Sequence, residues 1–298
     1  MKTLRELQEI YDSGINITKY LKEIKELENN SDNIIEIAYD FQSGSYIESL
    51  SNKEYASYLE KYAEEIVHVI CSLCDPISIL EAGVGEATTL ERVASKIKKI
   101  PTIYGFDISL SRILYGKNWL LKNNLDNVHL VTGNLFEIPF LDNSIDVVYT
   151  SHSIEPNGGN EEKILKELFR VTRKFLILLE PGYELANKEA QKRMDSHGYC
   201  KGIKKTAISL GYNVIEHKLF PYSSNTLNPT ALTIIQKEIT SISYDDSVFA
   251  CPRYGTALTR NTDSFFSEES LLAYPIIKGV PCLRKENAVL VSKYNFFN

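Results

Sequence analysis

The feature that most constrains the fold is an alternation between residues 77 and 181. Short apolar runs, namely SILEAG, TIYGFD, VHLVTGN, IDVVYTS and FLILLEP, are separated by longer stretches with helical periodicity. A strand that is buried on both faces reads as a continuous apolar run, and two parallel strands need a crossover, which is usually a helix. The alternation therefore predicts a parallel sheet with helices on both faces.

The flanking segments complete the predicted architecture. NVIEHKLF and TALTIIQK follow the fifth run and are close enough to pair as an antiparallel hairpin. We predict an α/β, Rossmann-like sheet of seven strands, five parallel and a terminal antiparallel pair. Residues 1–74 are predicted to form a helical N-terminal segment and lid, residues 75–240 the ligand-binding domain, and residues 245–298 a small β-rich module.

Composition narrows the class of protein. The 298 residues are 43% hydrophobic and carry a formal net charge of −6, which is ordinary for a globular protein and argues against nucleic acid as the main partner. No apolar run approaches the roughly 20 residues of a membrane helix. The N-terminus MKTLRELQEIYDSG has the pattern of a charged amphipathic helix rather than of a signal peptide. We therefore expect a cytoplasmic protein without a membrane partner.

The five cysteines are irregularly spaced, unlike a secreted disulfide framework, so we expect reduced thiols. Cys71 and Cys74 form a CxxC pair, for which redox chemistry and half a zinc site are alternatives. Their i, i+3 spacing also puts both on the apolar face of one helix. We predict that this pair packs in the core.

The ends of the first two predicted strands carry the strongest chemical signal. In a doubly wound sheet, ligands bind beyond the carboxyl ends of the strands. The first strand ends in Glu81 and a turn with Gly83 and Gly85, which let the backbone approach a ligand closely. The second ends in Asp107, whose carboxylate can accept hydrogen bonds from both hydroxyls of a ribose. Together they predict a nucleoside site.

The glycine turn fits a dinucleotide poorly. A GxGxxG fingerprint needs a third glycine where Thr88 stands, and Glu86 is predicted to face the space of a pyrophosphate. A carboxylate there repels a pyrophosphate but not a sulfonium, so the sequence favours S-adenosylmethionine. A nicotinamide-dependent oxidoreductase remains an alternative only if Glu86 turns away from the cofactor.

Three stretches, EAGVGEAT, GFDIS and GNLFEIPFLDNSIDVVYTSHSIE, resemble motifs of the class I S-adenosylmethionine-dependent methyltransferases, in particular the type 11-like group. The longest of them resembles the family pattern G-[DN]-x-x-x-[IL]-P-F-x-[DE]-x-[ST]-[FI]-D. The resemblance spans roughly residues 35–237. It implies S-adenosylmethionine as the cofactor and methyl transfer as the activity.

The same resemblance implies roles at the methionine end of the cofactor. Gly83 and Gly85 would let the backbone pass beside the methionine part, and Glu81 would support their turn. Ser151 would lie beside the methionine moiety.

At the adenosine end, the resemblance implies that Asp107 binds the ribose and that Ile108 packs on the adenine. Asn134 and Leu135 would hold the opposite edge of the adenine. Asn134 replaces the aspartate that is more usual in the family, which keeps an acceptor for the adenine amino group but removes a charge. Ala87 departs from the commoner G-x-G-x-G motif.

The segment AYDFQSGSYIESL resembles the tyrosine-containing N-terminal lid of many family members. Tyr39 and Tyr46 are predicted to cover the cofactor and to exclude water during transfer. The alternative is that these rings only pack a helix on the sheet.

Methyl transfer is an in-line displacement that depends mainly on alignment and desolvation. A hydroxyl acceptor also benefits from a general base, and imidazole suits that role. His152 follows the fourth predicted strand, where the methyl group is expected, and is the candidate base; turn capping and substrate binding are alternatives. Glu155 and Glu180 are secondary candidates, either orienting a substrate hydroxyl or capping the next helix.

The C-terminal module resembles the small zinc-ribbon-like proteins that activate certain methyltransferases. It shares Cys251 and a YPI…GVP run with them, but Tyr254 and Ser267 stand where further cysteines are expected. Cys282 and Cys251 together fall short of the four ligands of structural zinc, so no metal site is predicted. We expect a module that buttresses the catalytic domain or shapes the acceptor pocket; a plain brace is the alternative.

These observations predict an S-adenosylmethionine-dependent methyltransferase that acts on a small-molecule acceptor, such as a sugar or another hydroxylated metabolite. Two alternatives stay open. One is an RNA or protein methyltransferase that uses the C-terminal module as an adaptor, and the other is a non-catalytic scaffold that binds S-adenosylmethionine.

Overall fold

A computed structural model describes residues 2–25, 31–98, 101–237 and 247–294. The predicted boundary between residues 240 and 245 lies outside these ranges. The helices in the described part of the chain are α1 (Leu4–Asp12), α2 (Ile17–Lys25), α3 (Asp32–Phe41), α4 (Ser45–Ser49), α5 (Lys53–Leu73), α6 (Thr88–Lys96), α7 (Leu110–Lys122), α8 (Glu161–Val171), α9 (Lys188–His197) and α10 (Ile203–Ser209).

The strands of the central sheet are β1 (Ser78–Ala82), β2 (Thr102–Asp107), β3 (Val128–Thr132), β4 (Ile145–Ser151), β5 (Thr172–Pro181), β6 (Asn213–Leu219) and β7 (Thr230–Gln236). They form a seven-stranded sheet in the order β3-β2-β1-β4-β5-β7-β6. The first five strands are mutually parallel, whereas β7 is antiparallel to both β5 and β6. The predicted fold class is therefore confirmed.

Alternate residues of the buried strands pack on opposite faces of the sheet. Ile79 and Val147 contribute to a core with α5, α6 and α7, whereas Leu80 and Val148 contribute to a core with α8 and α10. This alternation is the period of two that a strand imposes on its side chains. Because both faces are covered, the strands read as continuous apolar runs in the sequence.

The described N-terminal helices α1, α2 and α3 form a small core of their own. Helix α3 also packs against α7, next to the carboxyl end of β2. A capping box between Thr3 and Glu6 begins α1, and the Asn52 side chain accepts from Glu54 N and Tyr55 N at the start of α5. These caps satisfy backbone N–H groups that a helix start leaves unpaired.

The C-terminal module contains the short strands β8 (Thr259–Arg260), β9 (Ser264–Ser267), β10 (Leu272–Ile277), β11 (Val280–Pro281) and β12 (Val289–Leu290). The paired strands are antiparallel. Phe249 and Tyr274 belong to the same core as Phe106 of β2. Thr132 at the end of β3 bridges to Cys282, so the module lies at the β3 edge of the central sheet.

The prediction that the CxxC pair packs in the core is wrong for Cys71. Cys71 is exposed, and Cys74 lies beyond the last residue of α5 with an extended backbone. Because the helix ends before Cys74, the i, i+3 relation that would align the two side chains no longer applies. The described cysteines are all free thiols.

Candidate functional site

A cavity of about 290 Å³ opens at the carboxyl ends of β1, β2 and β4. This is where an open α/β sheet places its ligand. The residues predicted to form the site line this cavity, namely Tyr46, Glu81, Gly83, Gly85, Asp107, Ile108, Asn134, Leu135, Ser151 and His152. Of the two secondary candidates, Glu155 lines the cavity and Glu180 does not. The structure thus brings the candidates together, while their individual roles stay predictions.

The turn after β1 is closely packed. Gly83 N and Val84 N both donate to Phe106 O, at 2.9 and 2.8 Å. Gly83 has a φ of +78°, and a Cβ added there would meet the Ser153 Cβ at 2.2 Å. A side chain at Gly83 is therefore excluded by both its backbone conformation and its neighbour.

A Gly83→Ala variant is expected to lose about 2 kcal/mol of unfolding free energy in urea, because the added methyl overpacks the turn. Gly159→Ala is the matched control, since Gly159 has a φ of +89° but its added Cβ meets no described atom within 4 Å. The control is expected to lose about 1 kcal/mol or less from backbone strain alone. Equal losses in the two variants would contradict the proposed clash.

Asp107 is held firmly at the end of β2. Its carboxylate accepts from Gly85 N at 2.9 Å and from Ser109 N at 3.0 Å, and the Arg112 Nη1 lies 3.9 Å away. The side chain is buried but lines the cavity. These bonds use one lone pair on each carboxylate oxygen, which leaves further acceptor capacity for the hydroxyls of a ribose.

Glu81 and Glu86 flank the turn, and their carboxylates have different hydrogen-bond partners. Glu81 accepts from the Tyr149 hydroxyl at 2.7 Å, and burial raises the pKa of Glu81 to about 8. Glu86 accepts from Gly44 N and Ile47 N, both at 2.9 Å. Glu86 therefore bonds to the start of α4, although it still lines the cavity. Its second task as an anchor of α4 is not apparent in the sequence.

Two tyrosines of the predicted lid contact the guanidinium of Arg112, a residue that the sequence patterns did not single out. The Arg112 Cζ lies 5.0 Å from the centroid of the Tyr39 ring and 4.8 Å from that of Tyr46, and both rings line the cavity. Such contacts of a guanidinium with aromatic faces are stabilising. Arg112 is 8% exposed and was missed because a single arginine in a helix carries no sequence signal.

His152 has hydrogen-bond partners on both ring nitrogens. Nδ1 lies 2.5 Å from Glu155 Oε2, and Nε2 lies 2.8 Å from Thr230 Oγ1. Burial disfavours the charged form, but the hydrogen bond and charge of Glu155 outweigh it, so the pKa of His152 is raised. Glu155 also accepts from Asn228 Nδ2 at 3.0 Å. A base role therefore requires the acceptor hydroxyl to replace Thr230 at Nε2.

Ser151 and Glu180 complete this side of the site. The Ser151 hydroxyl lies 3.0 Å from the Tyr62 hydroxyl of α5. Glu180 accepts from Ser153 N and Ile154 N at 3.1 Å, and burial raises its pKa to about 7. Glu180 is not among the described residues that line the cavity. Its carboxylate instead holds the backbone of the loop that follows β4.

The central part of the chain is similar to known methyltransferases. Residues 79–174 match the family model of a methyltransferase domain. The demethylmenaquinone methyltransferase of Listeria monocytogenes serotype 4a (strain HCC23) is 30% identical over 109 residues, which are 37% of this chain and 43% of that relative. The demethylmenaquinone methyltransferase of Geobacillus stearothermophilus is 31% identical over 94 residues, 32% of this chain and 40% of that one. The chain thus spans less than half the length of these relatives.

A solved structure shows the same fold. The magnesium protoporphyrin IX methyltransferase of Synechocystis PCC 6803 with bound SAH superposes with a TM-score of 0.54 at 13% identity, covering 70% of this chain and 100% of that chain. The seven-stranded sheet with its flanking helices is the Rossmann-like fold of the class I S-adenosylmethionine-dependent methyltransferases. The match of residues 79–174 to the model of a methyltransferase domain supports the resemblance over that part of the chain.

The residues of the cavity fit the cofactor of this class, S-adenosylmethionine. Asp107 has acceptor capacity for a ribose, and the glycine turn leaves room for close approach. Ser153 Oγ and Asn228 Oδ1 are buried without a hydrogen-bond partner among the described residues, and both residues line the cavity. Buried polar atoms are normally satisfied, so these two atoms indicate a polar ligand.

Outside this cavity the described residues offer little further chemistry. No group of three or more His, Cys, Asp or Glu side chains within residues 2–25, 31–98, 101–237 and 247–294 is placed to hold a metal ion. Cys251 Sγ lies 3.2 Å from the buried Tyr274 hydroxyl. In the same ranges, no helix combines the length and apolar character needed to cross a bilayer.

Proposed function

We propose that this chain transfers a methyl group from S-adenosylmethionine to a small-molecule acceptor, with hydroxylated metabolites such as sugars as the leading class. One observation carries the proposal: a buried carboxylate at the end of β2 and a glycine turn after β1 line one lidded cavity. The sulfonium of the cofactor supplies an activated methyl carbon. The chain then has to align the acceptor and to exclude water.

The residues of the cavity divide this work. Asp107 would bind the ribose, and Tyr46 together with Tyr39 would exclude water from above. Ser153 and Asn228 offer unsatisfied polar atoms to the methionine or the acceptor. His152, held by Glu155, would take the proton of an acceptor hydroxyl during the displacement.

The size and charge of the site favour a small molecule over a nucleic acid. The cavity is only about 290 Å³ in volume and is lined by carboxylate side chains, including Asp32, Asp107 and Glu155, with Arg112 paired to two tyrosines. Clustered carboxylates repel the phosphates of RNA, whereas a neutral hydroxylated acceptor meets no such repulsion.

A transfer assay tests the proposal. The chain is incubated with S-adenosylmethionine and separate panels of sugars, phenols, bulk RNA and unfolded protein, and S-adenosylhomocysteine is quantified. A demethylmenaquinone analogue is included because the curated relatives bear that name. Product with a small molecule supports the proposal. Product only with RNA or protein, or binding without any product, supports one of the two alternatives.

We also propose that the C-terminal module buttresses the cofactor site. Arg284 of the module pairs with Glu36 of α3, with Nη2 3.0 Å from Oε2, and its Nη1 lies 3.5 Å from Ile108 O. Arg284 thereby joins the module to α3 and to the loop that contains Ile108, the residue predicted to pack on the adenine. The Arg284 side chain is buried, whereas the Glu36 side chain is 34% exposed.

An Arg284→Met variant is expected to bind S-adenosylhomocysteine roughly 5- to 10-fold more weakly, because α3 loses its anchor. Arg253→Met is the matched control, since Arg253 donates to Lys285 O within the module. Isothermal titration calorimetry measures both. Unchanged affinity in the Arg284 variant would reduce the module to a brace.

A further inference from the structure

The adenine side of the cavity contains a carboxylate from an unexpected part of the chain. Asn134 Nδ2 donates to Asp32 Oδ2 at 2.7 Å, and Asn134 Oδ1 accepts from Phe136 N at 3.0 Å. The two partners fix the orientation of the amide, because a carboxylate only accepts and a backbone N–H only donates. The carbonyl oxygen of Asn134 is therefore committed to the backbone of its own loop.

Asp32 lies in the first turn of α3, about a hundred residues before Asn134 in the chain. It lines the same cavity as Ile108, Asn134 and Leu135. Its position is supported from two sides. Asp40 on the same helix accepts from the Ser109 and Ser111 hydroxyls at 2.7 and 3.0 Å, and Glu36 pairs with Arg284.

We propose that Asp32 accepts a hydrogen bond from the 6-amino group of the adenine, in place of the carboxylate that is absent at position 134. The inference rests on the proposed function, since it needs an adenosyl ligand in the cavity. The carboxylate of Asp32 supplies the negative charge that an aspartate at position 134 would have carried. Asn134 positions Asp32 by donating a hydrogen bond to it. A carboxylate accepts from an amino group but repels a carbonyl oxygen, so Asp32 selects adenine over hypoxanthine.

The position of Asp32 has a second consequence. A hydrogen bond from the ligand to α3 ties the ligand directly to a lid helix rather than to the sheet. Bound adenosyl ligand then holds α3 in place, and Tyr39 on the same helix is kept over the cavity. Ligand binding and lid closure are coupled through one side chain.

The test compares two ligands on four proteins by calorimetry. The ligands are S-adenosylhomocysteine and S-inosylhomocysteine, in which a carbonyl oxygen replaces the 6-amino group. The parent chain is expected to prefer the adenosyl ligand by roughly 10-fold or more. In Asp32→Asn this preference is lost or reversed, because an amide can donate to the carbonyl oxygen. In Asp32→Ala both ligands bind with similar affinity.

Asp40→Asn is the matched control on the same helix. Its side chain holds α3 to α7. Loss of this contact is expected to weaken both ligands by the same factor and to leave the preference intact. The same result in Asp32→Asn would overturn the role of Asp32 while leaving the proposed function in place. If the parent chain binds neither ligand, the proposed function itself fails.

Discussion

An Asp107→Ala variant is expected to bind S-adenosylhomocysteine about 1.5 to 3 kcal/mol more weakly than the parent chain, because a hydrogen bond to a charged group is lost. This corresponds to roughly a 10- to 150-fold rise in Kd. The carboxylate is 5% exposed and faces the cavity from the end of β2. Glu81 and Glu86 also flank the glycine turn, but Glu81 accepts from the Tyr149 hydroxyl and Glu86 from the backbone at the start of α4.

Two controls separate the ribose contact from the support of the turn. Asp107 also accepts from Gly85 N and Ser109 N, so its removal can loosen the loop. A 2′-deoxyribose analogue of the ligand, which lacks one hydroxyl, should lose less affinity than the parent ligand in the same variant. Asp126→Ala removes an exposed carboxylate elsewhere and should leave Kd unchanged. Unchanged affinity in Asp107→Ala contradicts the placement of the ribose.

The second large effect is expected at His152. A His152→Ala variant should transfer methyl to a hydroxyl acceptor at least ~100-fold more slowly, because the general base is lost. His152 has a φ of +55°, so His152→Asn is the better-matched variant, since asparagine tolerates this backbone region. His68→Ala, an exposed histidine of α5, is the neutral control. A near-parental rate in both His152 variants would contradict the role of His152 as general base and leave it a structural role.

The pH dependence of the transfer rate distinguishes a general base at His152 from a purely structural His152. Only the neutral imidazole can accept a proton, and the pKa of His152 is raised, so transfer should increase with pH through a midpoint above 6.5. Glu155→Gln removes the negative partner of Nδ1. The pKa of His152 then falls, and the rising limb of the rate profile moves to lower pH. A limb that stays in place in Glu155→Gln rules out His152 as the titrating base.

The His152–Glu155 pair also makes the stability of the fold depend on pH. The folded-state pKa of His152 is raised above its unfolded value, so this contribution is fully present below the unfolded pKa and is lost as pH rises through the folded pKa. The pKa of Glu155 is lowered: burial opposes this shift, but the bond to His152 outweighs it. That contribution is lost as pH falls. The ion pair therefore stabilises the folded state most between the unfolded-state pKa of Glu155 and that of His152.

The sheet was predictable because it depends on local patterns. Buried strands such as SILEAG and IDVVYTS read as apolar runs, and each is followed by a turn and a helix. The cavity followed from the sheet, since strand ends meet at one edge. Gly83 and Asp107 stood out because a glycine and an acid at such ends are chemically distinctive.

The contacts around the cavity were not predictable because they join distant parts of the chain. Glu86 lines the cavity, and its carboxylate also bonds to the backbone amides of Gly44 and Ile47 in the predicted lid. Asp32 reaches Asn134 only because α3 packs beside α7. Spacing along the sequence carries no information about such pairs, and they are what distinguishes this cavity from others on the same fold.

The orientation of Glu86 bears on the alternative of a nicotinamide-dependent oxidoreductase. Because its carboxylate is engaged by α4, repulsion of a pyrophosphate is weaker than the sequence suggested. The absence of a third glycine at Thr88 still disfavours a dinucleotide. Binding data must therefore include NAD.

Calorimetric titration of the chain with S-adenosylmethionine, S-adenosylhomocysteine and NAD shows which cofactor the cavity binds. We expect saturable one-to-one binding of both adenosyl sulfur compounds and no saturable binding of NAD in the same concentration range. Saturable binding of NAD, with no heat from either adenosyl compound, would contradict it.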